Sequence, residues 1–209
     1  MRKGKVLSLK NFKLTEFVTK NNILAVLVVL IIAGVSVGIF TESRIQVLSN
    51  YSTTYVERFI ALRSGESFLS VALSSFMSSA LVLLMLFAAG TSMLGVILVP
   101  FIAALIGLFY GGISALLYSE YSVKGIAFNA VLIVPYAFVF LIALLLAGRE
   151  SMRFSLLMAK MTLPGSPSVN LAFDFKNYCG RYLFIAFILL ASALTDAVLS
   201  CSFLDSLML

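Results

Sequence analysis

The chain has 209 residues, of which 61% are hydrophobic and 11% are charged. A soluble domain carries about twice that share of charge and fewer apolar residues, so the composition excludes a soluble fold and requires lipid as the main solvent. The formal charge is +6 with no histidine; cations placed in loops account for that sign through the positive-inside bias, without a nucleic-acid partner.

Residues 1–21 mix Arg2, Lys3, Lys5, Lys10, Lys13 and Lys20 with Leu9, Phe12, Phe17 and Val18. That mixture suits a basic helix on an anionic leaflet or a basic tail without structure. The apolar run that follows is longer than the core of a signal peptide. Gly38-Ile39-Phe40 is not a small-residue cleavage site, so the run reads as a retained first span. Spanning helices need about 20 mostly apolar residues, and five segments qualify: 22–40, 68–89, 93–117, 126–148 and 182–204. The break between the second and third is only Gly90-Thr91-Ser92. The stretch from Phe68 to Leu117 is nevertheless 50 residues long, far too long for one crossing.

Backbone groups in lipid must pair within the protein, and the alternating pattern of barrel strands is missing, so the spans are helices. The expected fold is all-α, a polytopic transmembrane bundle of about five spans. Residues 22–209 form its single domain and 1–21 a basic appendage. Eleven Lys and Arg fall before span one or between spans four and five; Arg44, Arg58, Arg63 and Lys124 fall on the other side. The bias puts the N-terminus in the cytoplasm and the C-terminus outside.

Two connections are more than turns. Residues 41–67 carry Ile45, Val47, Leu48, Tyr51, Tyr55, Phe59, Ile60 and Leu62 at spacings suited to one amphipathic helix along the outer surface. Residues 149–181 form the largest cytoplasmic connection, broken at Leu163-Pro164-Gly165-Ser166-Pro167. Phe173, Phe175, Tyr178 and Tyr182 then suggest an interfacial elbow leading into the last span.

Signals for catalysis are thin, and the chain is read as non-enzymatic, with no cofactor. No Ser-His-Asp set exists without histidine, and no GxxxxGK[ST] loop is present. Cys179 and Cys201 lie 22 residues apart, roughly 33 Å on a helix, too far to pair or to share a metal. Asp196 is the one acid deep in a span. It is either a proton, cation or partner site, or an acid that ends the lipid-facing part of its helix or is hydrogen-bonded within the bundle. No matching base accompanies it within the spans.

Small residues mark helix contacts. Gly34 and Gly38 form GxxxG in span one, and Gly107 and Gly111 do so in span three; packing within one chain is favoured over a homodimer. Ser74, Ser75, Ser78 and Ser79 give span two a small, polar face. Pro100 and Pro135 kink spans three and four, and Asn129 is placed to bond backbone groups or another helix.

The stretch Ile133 to Gly148 contains Pro135 and runs into Arg149-Glu150-Ser151-Met152-Arg153-Phe154-Ser155. Span three carries Gly107-Leu108-Phe109-Tyr110-Gly111-Gly112. These segments resemble the closing spans of the stage II sporulation protein M family, with Tyr136 where the family often has a polar residue after the proline. The resemblance implies a non-enzymatic, multi-pass protein of a bacterial cytoplasmic membrane. Its sporulation member holds cell-wall hydrolases in a complex, and other members are encoded with ABC transporters. Two functions follow as expectations. One is a scaffold recruiting membrane or cell-wall proteins through Tyr51, Tyr55 and Phe59. The other is a permease subunit whose separate ABC ATPase docks on Arg149, Arg153 and Lys160.

Overall fold

In a lipid environment each apolar run must satisfy its own backbone, and each becomes a helix. The computed structural model describes residues 4–161 and 171–204, and side chains from residue 22 onward. Its elements are α1 (Gly4–Thr41), α2 (Gln46–Ala61), α3 (Phe68–Gly90), α4 (Gly95–Phe128), a π-helical turn (Asn129–Ile133), α5 (Val134–Met161) and α6 (Leu171–Phe203). Among the described residues there is no strand.

Four continuous stretches are long and apolar enough to cross a membrane: Asn22–Thr41, Phe68–Gly90, Gly95–Met161 and Leu171–Phe203. The third has 67 residues, which would reach roughly 100 Å if straight. Instead it folds back at Ser122, whose φ of 49° and ψ of −127° break the helical geometry. These angles are close to the first central position of a type II′ turn, where glycine is usual. Gly125 then lies so close to Leu117 that a Cβ would stand 2.7 Å from the Leu117 carbonyl carbon. Beyond the turn, Asn129 bonds Ser114 and Tyr118, and Tyr110 and Phe140 sit 6.3 Å apart. The stretch is a hairpin of two antiparallel arms, so the bundle has the five apolar arms the sequence implies.

The two GxxxG motifs meet in a single interface. Going up α1, Gly34 lies on Ala104 and Leu108, and Gly38 on Leu108 and Gly112. From the other side, Gly107 lies on the backbone of Ile31 and Gly111 on that of Val35. Numbers rise together on both helices, so α1 and α4 run parallel. A Cβ on Gly34 would stand 3.0 Å from the Leu108 nitrogen, and one on Gly111 would stand 2.9 Å from the Val35 carbonyl carbon. Only glycine permits this approach. α3 and α5 both pack on α6. The main core runs through Leu27, Leu86, Val99, Ala143, Ala147 and Leu189.

α2 is the amphipathic helix its spacing suggests, and its apolar face packs on α4, with Val56 and Phe59 entering a second core with Ile113, Leu116, Leu117, Phe128 and Leu132. An apolar stripe on a loop helix is buried wherever a matching groove exists, and Gly112 opens that groove, with Leu48 and Ser52 against it. The elbow residues and the last span share one helix, Leu171–Phe203, in which Tyr178 and Tyr182 are buried while Phe173 and Phe175 stay exposed. The basic segment continues span one as helix from Gly4. The break at 163–167 lies outside the described residues. Pro135 is the second residue of α5, just after the π-helical turn, where the missing N–H is absorbed by one wider turn. Pro100 sits within α4.

Candidate functional site

Of the three buried carboxylates, Glu42, Glu150 and Asp196, the last two are paired with arginines and organise the polar chemistry. Asp196 of α6 is fully buried. Arg63, just after α2, reaches it with Nη2 2.5 Å from Oδ2, while its Nε stands 3.4 Å from Oδ1. Ser75 of α3 donates to Oδ2, and Ser200, one turn along α6, donates to Oδ1 at 3.2 Å. The guanidinium also donates to the Phe59 carbonyl at 3.1 Å and to Ser75 Oγ at 3.0 Å. Its carbon stands 3.5 Å from the centre of the Phe59 ring.

Asp196 therefore has a matching base, contrary to the sequence reading. An acid in a span requires a partner; the partner comes from a connection 133 residues away that looked like a surface loop. That requirement is the signal that could have pointed to Arg63. Since arginine keeps its proton in proteins, the pair joins the α2–α3 loop, α3 and α6 as a fixed clamp and is a poor proton relay.

Asn129 donates to Tyr118 Oη at 2.7 Å and to Ser114 Oγ at 3.2 Å, tying the two arms of the hairpin. Its Oδ1 and the Ser52 hydroxyl are buried without a partner among the described residues. Of the three aromatics expected to dock partners, Phe59 and much of Tyr55 are packed into the bundle, while Tyr51 packs on Phe109 and stays exposed. Tyr51 lies 4.3 Å from Phe109, Tyr55 lies 6.1 Å from Phe59, and Phe59 lies 5.9 Å from Phe128. Phe59 is buried and Tyr55 half-buried; Tyr51 alone keeps substantial exposure.

Glu150 of α5 is buried under three arginines. Arg149 Nη2 stands 2.7 Å from Oε1, Arg181 of α6 donates to Oε2, and Arg153 stands 3.5 Å from Oε2. Two of the cations expected to receive an ATPase are thus engaged within the chain, while Lys160 stays exposed in the last turn of α5. The sequence reading used Arg149 and Arg153 as loop charges and passed over the acid between them. Next to this cluster, Ser151 donates to the Leu86 carbonyl at 2.8 Å and bonds Tyr182 Oη. Tyr178 donates to the Phe87 carbonyl at 3.0 Å, and Ser155 to the Ser92 carbonyl at 2.7 Å. Together these hydroxyls hold α5 and α6 to the end of α3, reinforced by Phe154 stacked 4.7 Å from Tyr178.

Among the described residues, no group of three His, Cys, Asp or Glu is placed to hold a metal ion, and Cys179 and Cys201 are free thiols. No curated protein and no solved structure matches the chain. Residues 13–201, nearly its whole length, match the family described as SpoIIM, Stage II sporulation protein M. With its long apolar helices, the chain is a multi-pass membrane protein that belongs to the stage II sporulation protein M family.

Proposed function

We propose that the protein is a non-enzymatic scaffold of a bacterial cytoplasmic membrane, a fixed platform on which a membrane complex assembles. The observation that carries this reading is the seating of α2. Its inner face (Leu48, Ser52, Val56 and Phe59) is buried in the bundle, and Arg63 clamps its end to α3 and α6. Its outer face presents Asn50, Thr54, Glu57 and Arg58 to the surroundings. A helix held this firmly displays polar side chains in one geometry, which lowers the ordering cost of binding. Packing among the spans supports the same reading: the void bounded by Leu27, Val99, Leu144 and Gly148 is about 10 Å³, roughly the least that could hold one water.

The test replaces Thr54, Glu57 and Arg58 together by Arg, Lys and Glu, and recovers partners from native membranes in mild detergent. Loss of the wild-type partner proteins at unchanged thermal stability is the expected result. Full recovery of the same partners would remove α2 as the display surface.

A second reading, a permease subunit working with a separate ABC ATPase, draws on one feature. Ser155 pins α5 to the α3–α4 turn, and the helix runs on to Met161 with Lys160 exposed in its last turn. Recovery of an ATPase that is lost on Lys160→Glu would favour this reading over the scaffold.

A further inference from the structure

Beside the Glu150 cluster, α5 and α6 leave an open groove of about 600 Å³. One part of its wall is cationic, formed by Arg149, Lys176 and Arg181, and the other part is apolar, formed by Leu146, Phe184 and Ile185. Glu150 is the acid in that wall. It accepts Nε and Nη2 of Arg149 and Nη1 of Arg181. Each guanidinium carries five N–H donors, more than this carboxylate takes, and the two side chains remain 22% and 50% exposed. Positive charge is therefore in surplus where the groove opens. The apolar wall leads toward the part of α6 where Leu183, Phe184 and Phe187 are exposed, on a helix apolar enough to face lipid. Gly180 stands in the wall between the two chemistries, and a Cβ there would meet nothing within 4 Å.

A cationic end joined to an apolar wall at the rim of a membrane bundle has the chemistry of a phosphate carried on an acyl chain. Basic pockets between spanning helices take anionic lipid headgroups. We propose that this groove binds an anionic phospholipid, its phosphate held by Arg149, Lys176 and Arg181 and an acyl chain laid along Leu146 and Phe184. A soluble phosphate would find the cations and leave the apolar wall empty, so the lipid is the occupant that uses the whole groove. This inference rests on the membrane fold and is independent of the scaffold reading.

The experiment measures binding to the full chain in detergent by native mass spectrometry and by thermal shift, with phosphatidylglycerol, phosphatidylcholine or inorganic phosphate added. Phosphatidylglycerol is expected to bind and stabilise more than phosphatidylcholine, with the preference reduced at high salt. Two variants outside the Glu150 bonds sharpen it. Lys176→Gln is expected to weaken phosphatidylglycerol binding about fivefold, the effect of one interfacial cation. Gly180→Trp fills the groove and is expected to abolish the preference while the unliganded protein keeps its stability. Equal binding of the two lipids overturns the proposal, as does a preference that survives both variants. Stabilisation by phosphate alone equal to that by phosphatidylglycerol overturns it in favour of a soluble anion. The lipid comparison on the unaltered chain stands even where a variant fails to fold.

Discussion

Asp196 and Glu150 are both buried acids, yet their surroundings differ in number and in setting. Asp196 meets one arginine and two serines in the middle of packed helices, and its charge is matched one to one. Glu150 meets three arginines whose side chains remain partly exposed at the rim of the bundle. The first arrangement leaves nothing over and works as a clamp. The second leaves positive charge in excess and can both fasten α5 to α6 and attract an anion. Burial alone does not separate the two; the count of partners and their access to water do.

The sharpest way to break this comparison is Asp196→Leu, which leaves the buried Arg63 without its counter-charge. An uncompensated buried charge costs about 3–5 kcal/mol, read as a large drop in unfolding temperature in detergent. The double variant Arg63→Met/Asp196→Leu is expected to regain most of that loss, because replacing both partners of a buried pair is often neutral. A double variant no better than the single one would show that the clamp has a role beyond neutralising its own charge. Next comes Gly111→Leu, which pushes α1 away from α4. Overpacking of this kind costs about 1–3 kcal/mol and leaves both charge clusters intact, which calibrates helix packing against ion pairing. Glu150→Gln is expected to cost at most about 1 kcal/mol, since its arginines can turn to water, and to strengthen the binding of anionic lipid. A loss as large as that of Asp196→Leu would erase the distinction between the two sites. The smallest effect belongs to Ser52→Ala. It removes a buried hydroxyl without a partner, so stability is expected to be unchanged or slightly raised.

Features with a local period were legible in the sequence. GxxxG repeats on one helical face, and a 20-residue apolar run is a span whatever surrounds it. Pro135 likewise marked a disturbed helix. Long-range pairings were not legible. Leu48, Val56 and Phe59 showed an apolar stripe, but whether that stripe faces lipid headgroups or a groove in α4 depends on Gly112, more than fifty residues on. Arg63 looked like a loop cation for the same reason, and the acid that requires it lies in the last helix. The hairpin bend at Ser122 falls in the 118–125 gap that the two apolar runs leave between them, although no glycine or proline marks the bend itself; the helices on either side simply extend further than their apolar cores suggest.

The parallel contact of α1 with α4 also sets an order in time. Gly34 and Gly38 enter the bilayer first, and their mate Gly107 is synthesised about seventy residues later. At 5–20 residues per second the wait is roughly 4–15 s. Throughout that interval the glycine face of the first helix waits for the helix that covers it, and the speed of translation sets how long it waits.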